Sequence, residues 1–210
     1  MQSFWNQRYS EEEAAYGKAP NAFLAEALGQ LRPQWDATPS LLLPCDGEGR
    51  NAVWAAGEGW NVSSFDYSDA GVRKAQQWAT EAGVTIDCQV ADAHAFVPNQ
   101  PADVVALIFA HMPADLRAAF HKRAATWMQP GGFLILEGFH PDQIHHNHPS
   151  GGPKQLDMLF TPALLRKDFE DTSGLKILSL EAVETTLDEG PFHRGSASVV
   201  RMIAQKPVEA

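Results

Sequence analysis

The chain has 210 residues, 44% of them hydrophobic and 20% charged, with a formal net charge of −10. That mix belongs to an ordinary globular protein with room for one good-sized domain. Sixteen Lys and Arg against 26 Asp and Glu leave little to neutralise phosphate or to dock on anionic lipid, so neither nucleic acid nor a membrane is an expected partner.

The opening MQSFWNQRYSEEEAAYG has no basic flank before an apolar run, so no secretory signal is expected. The longest apolar run, residues 104–110, has the length of a strand and not of a membrane span. Cys45 and Cys88 are the two cysteines. They read as reduced, buried thiols of a cytoplasmic protein, one that forms a monomer or homodimer.

Pattern reading gives alternating strands and helices in chain order. Residues 41–43 form a short buried strand, 47–49 a turn, and 50–56 a helix ended by Gly57-Glu58-Gly59. A second strand covers 61–65. Ser68 or Asp69 then caps a helix to about residue 81, with Ala70, Ala75 and Trp78 inward. After Gly83 comes a strand over 85–90. Residues 103–109 (DVVALIF) suit a central parallel strand covered on both faces. Pro113 starts a helix that runs to about 128. Pro130-Gly131-Gly132 turns the chain into a strand over 133–137. Residues 140–153 read as a loop and 161–169 as a short helix. Strands over 176–187 and 197–204 flank the turn Asp188-Glu189-Gly190-Pro191 and make an antiparallel pair. The expected fold is α/β: one doubly wound, mostly parallel seven-stranded sheet finished by a C-terminal antiparallel hairpin. Within it, residues 1–30 would form a helical lid, 40–140 a cofactor-binding core, and 141–210 a substrate-side loop and hairpin.

The segment Cys45-Asp46-Gly47-Glu48-Gly49-Arg50-Asn51 carries the most chemistry. Glycines at 47 and 49 let backbone approach a ligand closely. The next helix points free N–H groups at the same spot, which favours an anionic group. Asp66 ends the following strand about 20 residues on, the spacing at which an acid meets a bound ribose. The same loop also fits the G-x-G-x-x-[G/A] pattern of nicotinamide dinucleotide enzymes, so the loop alone leaves both open. Asp92, in Ala91-Asp92-Ala93, follows the third strand and could accept from an adenine amine. Tyr67, beside Asp66, could pack on the adenine face.

With these residues in place the sequence resembles class I S-adenosylmethionine-dependent methyltransferases over nearly its whole length. The matching parts are Gly47-Glu48-Gly49-Arg50-Asn51, Asp66, Asp92 and Pro130-Gly131-Gly132. Trp5-Asn6-Gln7-Arg8-Tyr9, Tyr16-Gly17-Lys18-Ala19-Pro20-Asn21 and the tail Glu189-Gly190-Pro191-Phe192-His193-Arg194 with Arg201 are similar to the small bacterial tellurite-resistance and thiopurine-type branch. Leu43 and Cys45 stand where the family has an acid and its first glycine, and Asp46 is read as a compensating acid near the amino-acid end of the cofactor. The resemblance implies S-adenosyl-L-methionine as cofactor, held by Asp46, Gly47, Gly49, Arg50, Asn51, Asp66, Tyr67, Asp92 and Ala93, with Trp5, Arg8 and Tyr9 as lid. It implies methyl transfer to a small-molecule nucleophile, such as a thiol or an oxyanion like tellurite.

Two alternatives to that enzyme are a catalytically silent cofactor-binding module and a nicotinamide-dependent oxidoreductase. The catalytic candidates are His193 as base, Arg194 and Arg201 as an oxyanion fork, and His111 at the end of the fourth strand. His140, His145, His146 and His148 lack helical metal-ligand spacing and have no cysteine near them in sequence, so they read as solvated loop residues and no metal is expected.

Overall fold

In the computed structural model, residues 2–208 are described. A seven-stranded sheet runs in the order β3-β2-β1-β4-β5-β7-β6. Its strands are β1 (Ser40–Pro44), β2 (Asn61–Asp66), β3 (Asp87–Val90), β4 (Ala102–Ile108), β5 (Met128–Phe139), β6 (Lys176–Asp188) and β7 (Arg194–Gln205). The first five pair in parallel, while β7 is antiparallel to both β5 and β6. This is the expected sheet. Its reversed seventh strand, set between β5 and β6, departs from the 3-2-1-4-5-6 order of dinucleotide-binding folds.

The principal helices are α1 (Gln2–Glu11), α2 (Ala22–Leu31), α3 (Arg50–Gly57), α4 (Asp69–Ala82) and α5 (Ala114–Thr126). Strand alternation sends neighbouring side chains to opposite faces. Leu41, Leu43, Val104 and Ala106 meet Leu24 and Leu28 of α2 and Ala52 of α3 on one face. Leu42, Val105 and Leu107 meet Phe120 of α5 and Phe169 on the other. Val105 and Ile135 are fully buried, each contributing about 1.5–3 kcal/mol relative to an exposed side chain. Helix starts follow local chemistry. The Asn21 side chain accepts from Leu24 N–H and that of Ser68 from Gly71 N–H, while Gly83 closes α4 in the left-handed conformation.

Several element boundaries differ from the sequence reading. Thr85 and Ile86 stay outside β3, because its ladder with β2 begins only at Ser63. Phe109 leaves β4 in a left-handed conformation (φ 52°). Pro130-Gly131-Gly132 kinks inside β5 instead of preceding it. Register with β4 slips there, and Gly131 N–H and Gly132 C=O bond Lys206 across the sheet. The helix expected over 161–169 is one α turn, α7 (Pro162–Leu165), followed by a π-helical turn over Arg166–Asp171. Buried Asp168 of that turn accepts from His121 of α5 at 2.8 Å and from Arg117 at 3.1 Å, which fastens the irregular turn to the sheet layer. The 140–153 loop holds one helical turn, α6 (Asp142–His145).

Between α1 and α2 the chain crosses the β6–β7 turn. Gly17 and Gly190 pass backbone to backbone, so closely that a side chain on Gly190 would strike Gly17 N. Both glycines have positive φ, which suits the crossing to residues without Cβ. No described helix is long and apolar enough to cross a membrane.

Candidate active site

At the carboxyl ends of β1, β2 and β4 lies a cavity of about 810 Å³, in the crevice where strand order reverses. Its floor is the loop after β1. Cys45, Gly47 and Gly49 all have positive φ, at 58°, 59° and 82°. Cys45 thus takes a backbone shape that costs a non-glycine residue about 1 kcal/mol or more, held by the turns on either side. The loop's third left-handed residue, Gly49, sits against Ala75 of α4, where no Cβ would fit.

The Asp66 carboxylate is the fixed point of the site. It accepts from Gly47 N–H at 2.9 Å through one oxygen and from Ser68 N–H at 2.8 Å through the other. Each oxygen keeps a further lone pair for a ligand in the cavity it lines. Burial raises its pKa, and the backbone donors oppose that rise. The expected apposition of the glycine turn with the acid after β2 is therefore present. Tyr67 (40% exposed), Asp92 and Ala93 line the same cavity. Asp92 uses Oδ1 to accept from His94 N–H at 2.8 Å.

Asp46 lines the cavity but is turned to α3. Its carboxylate accepts from Asn51 Nδ2 at 2.9 Å and from Ala52 N–H at 3.1 Å, satisfying a free donor of the helix start. Burial pushes its pKa up to about 7, against the lowering pull of these two bonds. In the folded chain Asp46 therefore binds a proton that the unfolded carboxyl, near 3.8, has released. The neutral form's contribution is complete below about pH 4 and is lost as pH rises through 7. Asp46→Asn should gain stability relative to the parent as pH rises from 5 to 8, read as a widening difference in melting temperature. A constant difference would place the charge elsewhere.

Asn51 and Arg50 are also committed to the frame. Asn51 Oδ1 accepts from Asn21 N–H at 2.9 Å. Arg50 donates to Glu189 at 2.7 Å and to Ala19 C=O at 3.2 Å. The wall opposite the glycine loop is α1. Trp5 stacks on Tyr9 with centroids 5.6 Å apart. Tyr9 is buried with its hydroxyl against Gly47. Arg8 lies over Phe192 at 4.0 Å and donates to Tyr16 Oη at 3.0 Å. These bonds hold the guanidinium in an aromatic cage on the cavity wall.

His193 also lines the cavity, 6% exposed, between Phe109 (4.4 Å), Tyr16 (4.5 Å) and Phe139 (5.3 Å). Its Nδ1 is 3.4 Å from Glu189 Oε2. A carboxylate only accepts, so the proton sits on Nδ1 and leaves the Nε2 lone pair free. Burial lowers the pKa of His193, and Glu189 pulls it back up. Glu189 itself, raised by burial, is brought down further by His193 and Arg50. Asn21 donates to Glu189 at 2.8 Å and to buried Glu137 at 2.6 Å. Arg201 completes the chain at 3.1 Å from Glu137.

Three expectations are corrected. Arg194 lies on the exposed hairpin end beside Asp188 at 3.4 Å, with its side chain 76% exposed, and does not reach the cavity. Arg201 sits on the other side of the sheet over Phe23, where it neutralises Glu137, so the two arginines form no fork. His111 does line the cavity, but both ring nitrogens are spent: Nδ1 on Met158 C=O at 2.8 Å, Nε2 on Phe139 N–H at 3.0 Å. Burial lowers its pKa to about 4, so it is a neutral structural imidazole and not a base. Glu189, Asn21 and Glu137 escaped the sequence reading as functional residues. The i, i+4 spacing of Glu189 and His193 was their one local signal.

Residues 43–132, which include the glycine loop, Asp66 and Asp92, match the family described as Methyltransferase domain. No curated protein matches the chain in sequence. Among solved structures, a protein of the conversion of a disulfide bond into a thioacetal group during echinomycin biosynthesis aligns with TM-score 0.78 and 16% identity, over 100% of this chain and 93% of its own. Magnesium protoporphyrin IX methyltransferase from Synechocystis PCC 6803, with bound SAH, gives 0.70 and 18% over 98% and 97%. TehB from Haemophilus influenzae gives 0.68 and 15% over 98% of this chain and 66% of its own. The neighbours share the fold, and the family match and the reversed seventh strand both weigh against a nicotinamide enzyme. The central segment thus carries a methyltransferase-domain match, and the chain as a whole has the fold of solved S-adenosylmethionine-dependent methyltransferases.

Proposed function

We propose that the chain methylates a compact, largely apolar small molecule through a thiol or hydroxyl whose proton passes to His193 Nε2. The carrying observation is that one cavity is walled at one end by the Asp66–Gly47 apposition and at the other by the Glu189-held imidazole of His193.

The residues present fit S-adenosylmethionine. Asp66 keeps one lone pair per oxygen for the two ribose hydroxyls, the Asp92 carboxylate can accept from an amine, and Tyr67 offers a flat face. When bound, the cofactor supplies a sulfonium-activated methyl group. The chain's own work is positioning and proton removal. Holding an acceptor in line at contact distance can supply about 7–11 kcal/mol of the barrier. Phe109, Phe139 and Met158 on the acceptor side exclude water, and α1 closes the other side with Trp5 and Tyr9. Glu189 keeps the His193 proton on Nδ1 and stabilises the imidazolium formed when Nε2 takes the acceptor's proton.

The acceptor class follows from what surrounds His193. Among the residues within aromatic contact of the ring are Tyr16, Phe109 and Phe139, and neither hairpin arginine reaches it. These aromatic walls suit a neutral, protonated nucleophile with an apolar body, and the Arg8 guanidinium at their edge is held by Tyr16 and Phe192. Titration of the purified chain with S-adenosylhomocysteine and separately with NAD tests the cofactor reading. Saturable binding of the thioether at micromolar concentration, with none of NAD, is expected. The reverse would overturn it.

A further inference from the structure

Away from the cavity floor, the loop after β5 brings two histidines onto a carboxylate of the edge strand β6. His146 Nδ1 is 3.6 Å from Glu184 Oε1, and His148 Nε2 is 2.7 Å from Glu184 Oε2. All three ligand atoms lie within 4.8 Å of one another. Asn147 between the histidines has φ 54°, a left-handed turn. The rings stand nearly perpendicular with centroids 5.6 Å apart. His148 Nε2 is buried and, close as it is to Glu184, out of line for a hydrogen bond. Contact without alignment is what a set of donors shows when it converges on a point between them.

The cluster is held in place from outside. Gln143 accepts from Ser198 N–H at 2.9 Å and donates to Ser150 Oγ at 3.0 Å, and Ser150 donates to Ser196 C=O at 2.7 Å. These bonds fasten both ends of the histidine turn to β7, the strand that pairs with Glu184. The backbone that carries both histidines is therefore held against β7 before any ion binds.

We propose that His146, His148 and Glu184 form a binding site for a divalent transition metal of the zinc type. Two imidazoles and one carboxylate make the borderline donor set that zinc takes, with a fourth position open to water. The histidine spacing alone does not reveal it, because the third ligand comes from another strand. The loop continues into Gly152, Pro153 and Gln155, which line the acceptor side of the cavity. Bound metal would therefore brace that wall.

The test is zinc titration of the full chain, without an affinity tag, by isothermal calorimetry, and cobalt titration followed by visible absorption. One saturable equivalent at micromolar concentration is expected, with intense cobalt bands that report nitrogen and oxygen ligands in low coordination. His148→Ala and Glu184→Gln should each weaken zinc binding by about tenfold or more. His146 and Glu184 are half-exposed, so His146→Ala gives a third variant whose folding is not at stake. His145→Ala, which removes a neighbour outside the cluster, should leave affinity unchanged. No saturable zinc binding, or equal binding by His148→Ala and Glu184→Gln, would overturn the site, as would loss of binding in His145→Ala. S-adenosylhomocysteine affinity is read in parallel and does not depend on the outcome.

Discussion

Asp66→Ala should weaken S-adenosylhomocysteine binding at least tenfold, the largest loss expected from any single change in the cofactor half of the site. The carboxylate ends β2 and is fixed by Gly47 N–H and Ser68 N–H. Hydrogen bonds to a charged acceptor contribute about 1.5–3 kcal/mol each, and about 1.4 kcal/mol is a factor of ten. The loss of one ribose contact therefore already meets the expected value, and the loss of both exceeds it. Removing the acid also strands two backbone donors, so the variant should be less stable than its parent. Asp66→Asn keeps an acceptor and the shape of the side chain, and should fall between the two. Calorimetry on folded variants decides: unchanged affinity in Asp66→Ala would remove this carboxylate from the ribose.

His193→Ala should lower turnover by about 10²- to 10⁴-fold, the range for loss of a positioned general base. Its affinity for S-adenosylhomocysteine should stay within about twofold, because no residue of the Asp66 cradle touches the ring. Burial lowers the pKa of His193, so the working neutral form should prevail at pH 7. Activity should fall only below that, as the imidazole takes a proton. A parallel loss of cofactor binding and turnover would move His193 out of the acceptor end and into the cofactor's frame.

Much of this architecture is legible in the sequence because it rests on local rules. The run DVVALIF spans a strand covered on both faces. Gly47 and Gly49 sit where the backbone turns left-handed, and one helix and one strand separate Gly47 from the end of Asp66's strand. What escaped depends on which face a side chain takes after long-range pairing. His193 and Arg201 are eight residues apart on one hairpin, yet Arg201 follows strand alternation to the α2 side while His193 stays in the turn over the cavity. His111 stands at a strand end that suits a base, but its chemistry is set by Met158 C=O and Phe139 N–H, partners no spacing reveals. Asp46 gives the same lesson. An acid in the loop is visible, but its attachment to Asn51 and Ala52 depends on how α3 begins. Pro130-Gly131-Gly132 signals a turn correctly, but neighbours on both sides absorb it into β5 as a kink.

The crossing of Gly17 and Gly190 ties the start of the chain to its last hairpin like a hasp on a door. On one side of that hasp is α1, which walls the cavity; on the other is the turn that carries His193, the proton acceptor of the proposed reaction. If the proposed reaction holds, displacing α1 from the cavity would strain the turn that carries His193, because the two are tied at this crossing. The reactive sulfonium would then meet a working base only behind a closed door, out of reach of stray water.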